Sequence, residues 1–245
     1  MKRIAILPLI LILNACYFLA AQTNSQEIYN AYISGNMVKW KSVIDRLASN
    51  SSGKPADLAE LINYQYGYVG WAIGYKKTDE AKIYLEKAEK NLDLLDRFPE
   101  YASLVMSYKA AFYGYRIGMN KVLAPVLGKK SIDCARAAIK IDEKNFLGWV
   151  QYGNTEFYMP STFGGSKKDA LKYYLKAQAL LEADKNLVRE NWNYLSLLTV
   201  IAQTYSYLGD HQSSKKYLDR ILELEPGFTW AKTELYQQIY KNMKN

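Results

Sequence analysis

The sequence predicts an all-α protein made of antiparallel helical hairpins, and three observations carry that expectation. The first is the stretch 147–177, where Trp149, Tyr152, Gly153 and Tyr158 fall at helical spacing and are answered by Ala170, Tyr174 and Ala177. Large residues of one helix thereby meet small residues of the next. The second is recurrence: Ile201, Ala202, Tyr205, the Gly209-Asp210 turn, Leu218, Ile221 and Pro226 repeat that order over 198–226. The third is punctuation, clearest in Asn50-Ser51-Ser52-Gly53-Lys54-Pro55, whose turn chemistry separates periodic runs.

These spacings resemble the tetratricopeptide repeat (TPR) pattern. The resemblance implies an α-α superhelix, a TPR-like solenoid of four to five hairpins over 22–245, best expressed over 147–180 and 195–228. Aligning Trp40, Ala81, Ser131, Ala170 and Ser214 gives steps of 41, 50, 39 and 44 residues. All exceed the roughly 34 residues usual for the family, and inserted loops account for the excess.

Taken in order, 27–34 and 37–47 form a first hairpin about Gly35-Asn36. A long helix over 57–75 carries Gly67, Gly70 and Gly74, a small stripe that would admit a neighbouring helix closely. The turn 76–78 leads to a helix marked by Ala81, Leu85 and Ala88. A helix over 101–117 is followed by an insertion over 118–130, containing Ala124-Pro125 and Gly128, and then by a helix over 131–141. In the 147–177 hairpin the tight turn is replaced by 159–166. There Pro160 stops the first helix, Gly164-Gly165 permits unusual backbone angles, and Ser166 reads as the next N-cap. No phosphate-loop lysine spacing follows the glycines, so this segment reads as a structural loop, with partner contact as the functional alternative.

The N-terminus reads as an export signal over 1–21: Lys2 and Arg3, an apolar run over 4–13, then Leu19-Ala20-Ala21 before Gln22. Leu13-Asn14-Ala15-Cys16 resembles a lipobox, so lipidation of Cys16 is the alternative to cleavage after Ala21. Either implies the periplasm or cell envelope. Beyond the signal Cys134 is the only cysteine, which excludes an intramolecular disulfide; among Ala135, Ala137 and Ala138 it reads as a small buried apolar residue. Removing Lys2 and Arg3 lowers the net charge from +8 to +6, a basic surface without long basic runs. That excludes a nucleic-acid reader and leaves room for peripheral or lipid-anchored membrane association.

No catalytic constellation is visible. His211, the single histidine, reads as an exposed turn residue, and no cysteine, histidine or carboxylate spacing matches a triad or metal site. The expectation is a non-enzymatic protein without cofactor or metal. The chain carries 22 tyrosines, many of which must pack between helices while others line a groove. In the TPR resemblance the first helices line the concave side, which assigns the groove to Tyr66, Tyr108, Phe112, Tyr115, Asn154, Phe157 and Gln203, with Ile73, Val150 and Thr199 beside them. Asn154 falls where peptide-binding members hold a ligand-bonding asparagine, but Val150 and Thr199 stand where carboxylate-clamping members hold lysines. The leading expectation is an exported adaptor binding a protein or peptide partner. The alternative is a small-ligand-binding accessory subunit of a transport system. An open groove would favour the first, a closed tyrosine-lined pocket the second.

Overall fold

The computed structural model describes residues 23–50 and 53–243, so the export signal and Cys16 lie outside the described residues. The protein is all-α: no strand forms among these residues. Twelve helices follow one another: α1 (Asn24–Ser34), α2 (Met37–Ser49), α3 (Pro55–Gly74), α4 (Thr78–Leu95), α5 (Ala102–Met119) and α6 (Ala124–Ile141). Then come α7 (Phe146–Tyr158), α8 (Lys167–Glu182), the single turn α9 (Lys185–Val188), α10 (Trp192–Tyr207), α11 (His211–Leu224) and α12 (Tyr236–Met243).

Local chemistry sets these boundaries. Thr23 and Gln26 form a reciprocal capping box on α1, which ends at Gly35 with φ 71°. Asn36, Asn145, Ser166, Asn191 and Asp210 each accept a backbone N–H at a helix start. Pro55 opens α3, where its missing N–H costs nothing. The same logic corrects the expected 118–130 insertion. Pro125 sits in the first turn of α6, so the helix begins at Ala124 and only a short 3-10 turn, Lys121–Leu123, separates it from α5.

The helices pack as antiparallel pairs, α1/α2, α3/α4, α5/α6, α7/α8 and α10/α11, each second helix also meeting the next first helix. Small residues make the joints. Ala81, Ala170 and Ser214 are fully enclosed, and the hydroxyls of Ser131 and Ser214 each donate to a carbonyl of the partner helix at 2.8 Å. At Gly153 an added Cβ would lie 2.5 Å from the Tyr174 ring, so glycine here is the seat of that ring. Trp40, the large residue in the series, is buried too. Its indole N–H donates to the Tyr64 carbonyl at 2.9 Å, and its ring meets Trp192 edge-on at 5.1 Å.

Two small-residue readings are corrected. Gly67 and Gly70 receive rings rather than a helix backbone: an added Cβ would lie 2.7 Å from Trp40 and Trp192 at the first, and 2.7 Å from the Tyr115 hydroxyl at the second. Cys134 is half-buried rather than enclosed, and that burial raises its thiol pKa. His211 is the first residue of α11 and is half-buried, with its Nδ1 enclosed.

The C-terminal segment returns across the start of the chain. Phe228 is buried against Tyr32 at 4.9 Å, Thr229 donates to the Ile33 carbonyl at 3.1 Å, and Tyr29 donates to Glu225 at 2.9 Å. A π-helical turn, Ala231–Leu235, then leads into α12, which covers α10 and α11 and encloses Leu235 and Ile239.

Candidate functional site

Four first helices, α3, α5, α7 and α10, line a half-open cavity of about 1320 Å³. Two neighbouring helices of its lining, α3 and α5, carry glycines at matching spacing and touch each other, Gly70 against the Tyr115 hydroxyl and Gly118 against Ile73. Gly70 and Gly74 on α3, and Gly114 and Gly118 on α5, stand one helical turn apart and so share a face. A Cβ built at Gly74 or Gly114 would meet no atom within 4 Å. The space beside them belongs to the cavity, not to a neighbouring side chain. Glycine inside a helix costs roughly 0.5–1 kcal/mol relative to alanine. Gly74 and Gly114 carry that cost with no protein side chain seated against them.

The inner end is polar, and its side chains form a network that leaves out the Trp192 indole N–H, which is enclosed without an acceptor. Gln151 donates to the Tyr66 hydroxyl at 3.0 Å, Asn154 donates to Gln151 at 3.0 Å, and Tyr174 donates to Asn154 at 2.8 Å. Tyr115 donates to the Tyr66 carbonyl at 3.1 Å, with the two rings stacked at 5.6 Å. Burial raises the pKa of both phenols, Tyr115 well above the usual value, so both remain neutral. The cavity therefore has an uncharged, aromatic floor.

The charged side chains in the lining are Lys121, Lys129, Asp133, Arg136 and Glu156. Lys121, Pro125 and Gly128 form one lip at the α5–α6 corner; Met159, Pro160 and Phe163 form the other, from the 159–166 loop. That loop is shaped as its residues require. Gly164 takes φ 95°, Ser166 caps α8, and Gly165 passes so close to the Met159 carbonyl that an added Cβ would lie 2.0 Å from its oxygen. Arg136 reaches the mouth from α6 and donates to Tyr152 at 3.2 Å, while Lys129 pairs with Asp133 at 2.6 Å. Lys121 makes no ion pair among the described residues.

The residues assigned to the groove from sequence divide into two sets. Tyr66, Tyr115 and Asn154 line the cavity, as do Ile73 and Val150. Tyr108 and Phe112, each 2% exposed, lie behind the wall and back Tyr66 and Tyr115. Phe157 is buried between Tyr158 and Tyr207 under the Lys167 ammonium, which stands 4.5 Å above its ring. Thr199 is buried in α10, and Gln203 bonds Gln238 of α12 at 3.0 Å, away from the cavity. Sequence reading missed Gly114, Gly118, Tyr158, Phe163 and Arg136. The available signal was the matching glycine pairs of α3 and α5.

No protein-family model matches the chain, and no curated protein matches it in sequence. Among solved structures it is similar to the HusA haemophore from Porphyromonas gingivalis, at 16% identity and a TM-score of 0.57, over 77% of this chain and 96% of that one. At that identity the likeness is one of all-helical fold. Among the described residues no helix is long and apolar enough to cross a membrane, and no group of three or more histidine, cysteine or carboxylate side chains is placed to hold a metal ion.

Proposed function

We propose that this chain is an exported, non-enzymatic protein of TPR-like architecture that binds a planar, amphiphilic small molecule in the cavity between α3, α5, α7 and α10. The observation that carries this reading is the open space beside Gly74 and Gly114 in the lining of this cleft. A flat ligand would lie across Gly74 and Gly114 and meet the Tyr66 and Tyr115 rings, with Phe163 at its outer end. Lys121 and Arg136 stand where acidic substituents of the ligand would emerge. The volume of about 1320 Å³ exceeds the roughly 300–1,000 Å³ of ordinary drug-sized sites, which suits a large ring system.

Asn154, the expected peptide ligand-binder, gives one amide N–H to Gln151 and one carbonyl lone pair to Tyr174. A second N–H and a second carbonyl lone pair of that amide remain for a ligand. The haemophore likeness favours the ligand-binding alternative, and haem, a flat ring system with two carboxylates, is the natural probe. With the sole histidine at the start of α11, away from the cavity lining, packing and stacking would hold such a ligand.

The test is an absorption titration of haem into the chain from Gln22 onward. Saturation at one equivalent is expected, with loss of that binding in Gly74→Leu. Absence of saturation, or unchanged binding in the variant, would refute the proposal.

A further inference from the structure

The five hairpin turns run side by side along one rim of the molecule. Lys41, at the start of α2, pairs with Glu80, at the start of α4, at 3.4 Å. The end of α3 abuts the end of α5, where a Cβ on Gly118 would lie 3.7 Å from Ile73. The α5–α6 corner faces the 159–166 loop across the cavity mouth, and Phe157 meets Tyr207 at 5.4 Å.

This rim differs from the opposite edge in charge. The turn segments 35–41, 74–82, 118–130, 158–169 and 207–216 hold twelve lysines and four acidic side chains. The connections between hairpins, 49–57, 93–101, 140–146, 182–191 and 219–227, hold twelve acidic and seven basic side chains. A modest net charge therefore conceals a charge difference between the two edges, offset in part where Lys39, Lys129 and Lys215 of the rim pair with Glu27, Asp133 and Asp219. Lys130 and Lys168 are exposed and make no ion pair among the described residues.

The same rim carries the apolar excess. Of the exposed large hydrophobic side chains, the six most exposed all stand on it: Val38, Val122, Val126, Tyr158, Phe163 and Tyr207, at 62–82%. Aliphatic and aromatic tips interleaved with lysines, some of them such as Lys121, Lys130 and Lys168 without an ion pair among the described residues, are the chemistry of an interfacial contact. The apolar tips enter the headgroup region, tyrosines sit at the boundary, and lysines meet anionic headgroups.

We infer that the hairpin rim docks on an anionic phospholipid bilayer, with the cavity mouth turned toward the lipid. The inference does not depend on what fills the cavity, and its test is separate from ligand binding. Sedimentation of the chain from Gln22 onward with vesicles of phosphatidylcholine, and with equimolar phosphatidylcholine and phosphatidylglycerol, measures partitioning. Binding to the anionic vesicles alone, weakened by salt, is expected. Lys130→Gln with Lys168→Gln should lower partitioning about 30-fold, and Val122→Ser with Val126→Ser about tenfold. None of these four residues lines the cavity, so haem binding should be unchanged. Lys185→Gln with Arg189→Gln, on the opposite edge, should leave partitioning intact. No binding to anionic vesicles would overturn the inference and turn the rim toward an acidic protein partner. Equal loss from the control pair would overturn it as well.

Discussion

Gly67 and Gly114 occupy equivalent kinds of place, mid-helix on the inner face of α3 and α5, yet they do opposite things. Beside Gly67 the helices close on an aromatic knot in which Trp192 lies 5.1 Å from Trp40, 5.9 Å from Tyr32 and 6.1 Å from Tyr66. Beside Gly114 nothing from the protein comes within 4 Å of where a Cβ would stand. One glycine is room for a side chain of this chain; the other faces open space in the lining of the cavity. The difference teaches that a missing side chain is informative only when its neighbour is known.

That contrast can be broken from either side. The largest effect should come from Trp192→Ala, which empties the knot. The indole N–H is enclosed without an acceptor, so the residue contributes through packing alone, and a loss of about 3–5 kcal/mol is expected in denaturant unfolding. A loss below that of an exposed site would dissolve the knot as a structural element. Next, Gly67→Ala drives a methyl into Trp40 and Trp192 and should cost about 1–3 kcal/mol. Gly114→Ala, chemically identical, should instead stabilise by about 0.5–1 kcal/mol, because helix propensity improves and nothing is displaced. Matching signs for the two alanines would contradict the comparison.

The smallest effect concerns acid. Hydrogen bonds from Arg46, and then from Lys39, lower the Glu27 carboxyl pKa and tie α1 to α2. A folded pKa below the unfolded one gives stability that is present above the ordinary glutamate value, roughly 4.3, and lost as pH falls through the folded value. Glu27→Gln should therefore flatten the acid limb of a Tm-versus-pH profile while changing Tm little at neutral pH. An unchanged acid limb would remove this pair from the account.

Much of the fold was legible because helical caps and joints are local. Asn36, Ser166 and Asp210 announce helix starts in the sequence, and Ala81, Ala170 and Ser214 announce seats for neighbouring helices. Pro125 was misread because a proline in a first turn and a proline that breaks a helix look alike until the preceding turn is placed. The cavity was legible only in part. Tyr66, Tyr115 and Asn154 are inner-face residues by phase, and they line it; Tyr108 and Phe112 share that phase but are covered by neighbouring rings. Phase gives the side of a helix, whereas depth depends on what the next helix brings. The basic rim was hidden for a related reason, since its lysines are scattered as pairs and meet only when the hairpin turns align.

The most direct measurement is Gly114→Leu, read twice on the same protein: thermal unfolding without ligand, and haem titration. The account predicts a Tm equal to or above that of the wild type, because leucine enters empty space on a helix, together with loss of haem binding because that space is the ligand's. Retained binding with a raised Tm would contradict the central claim and leave the open glycine positions without a function.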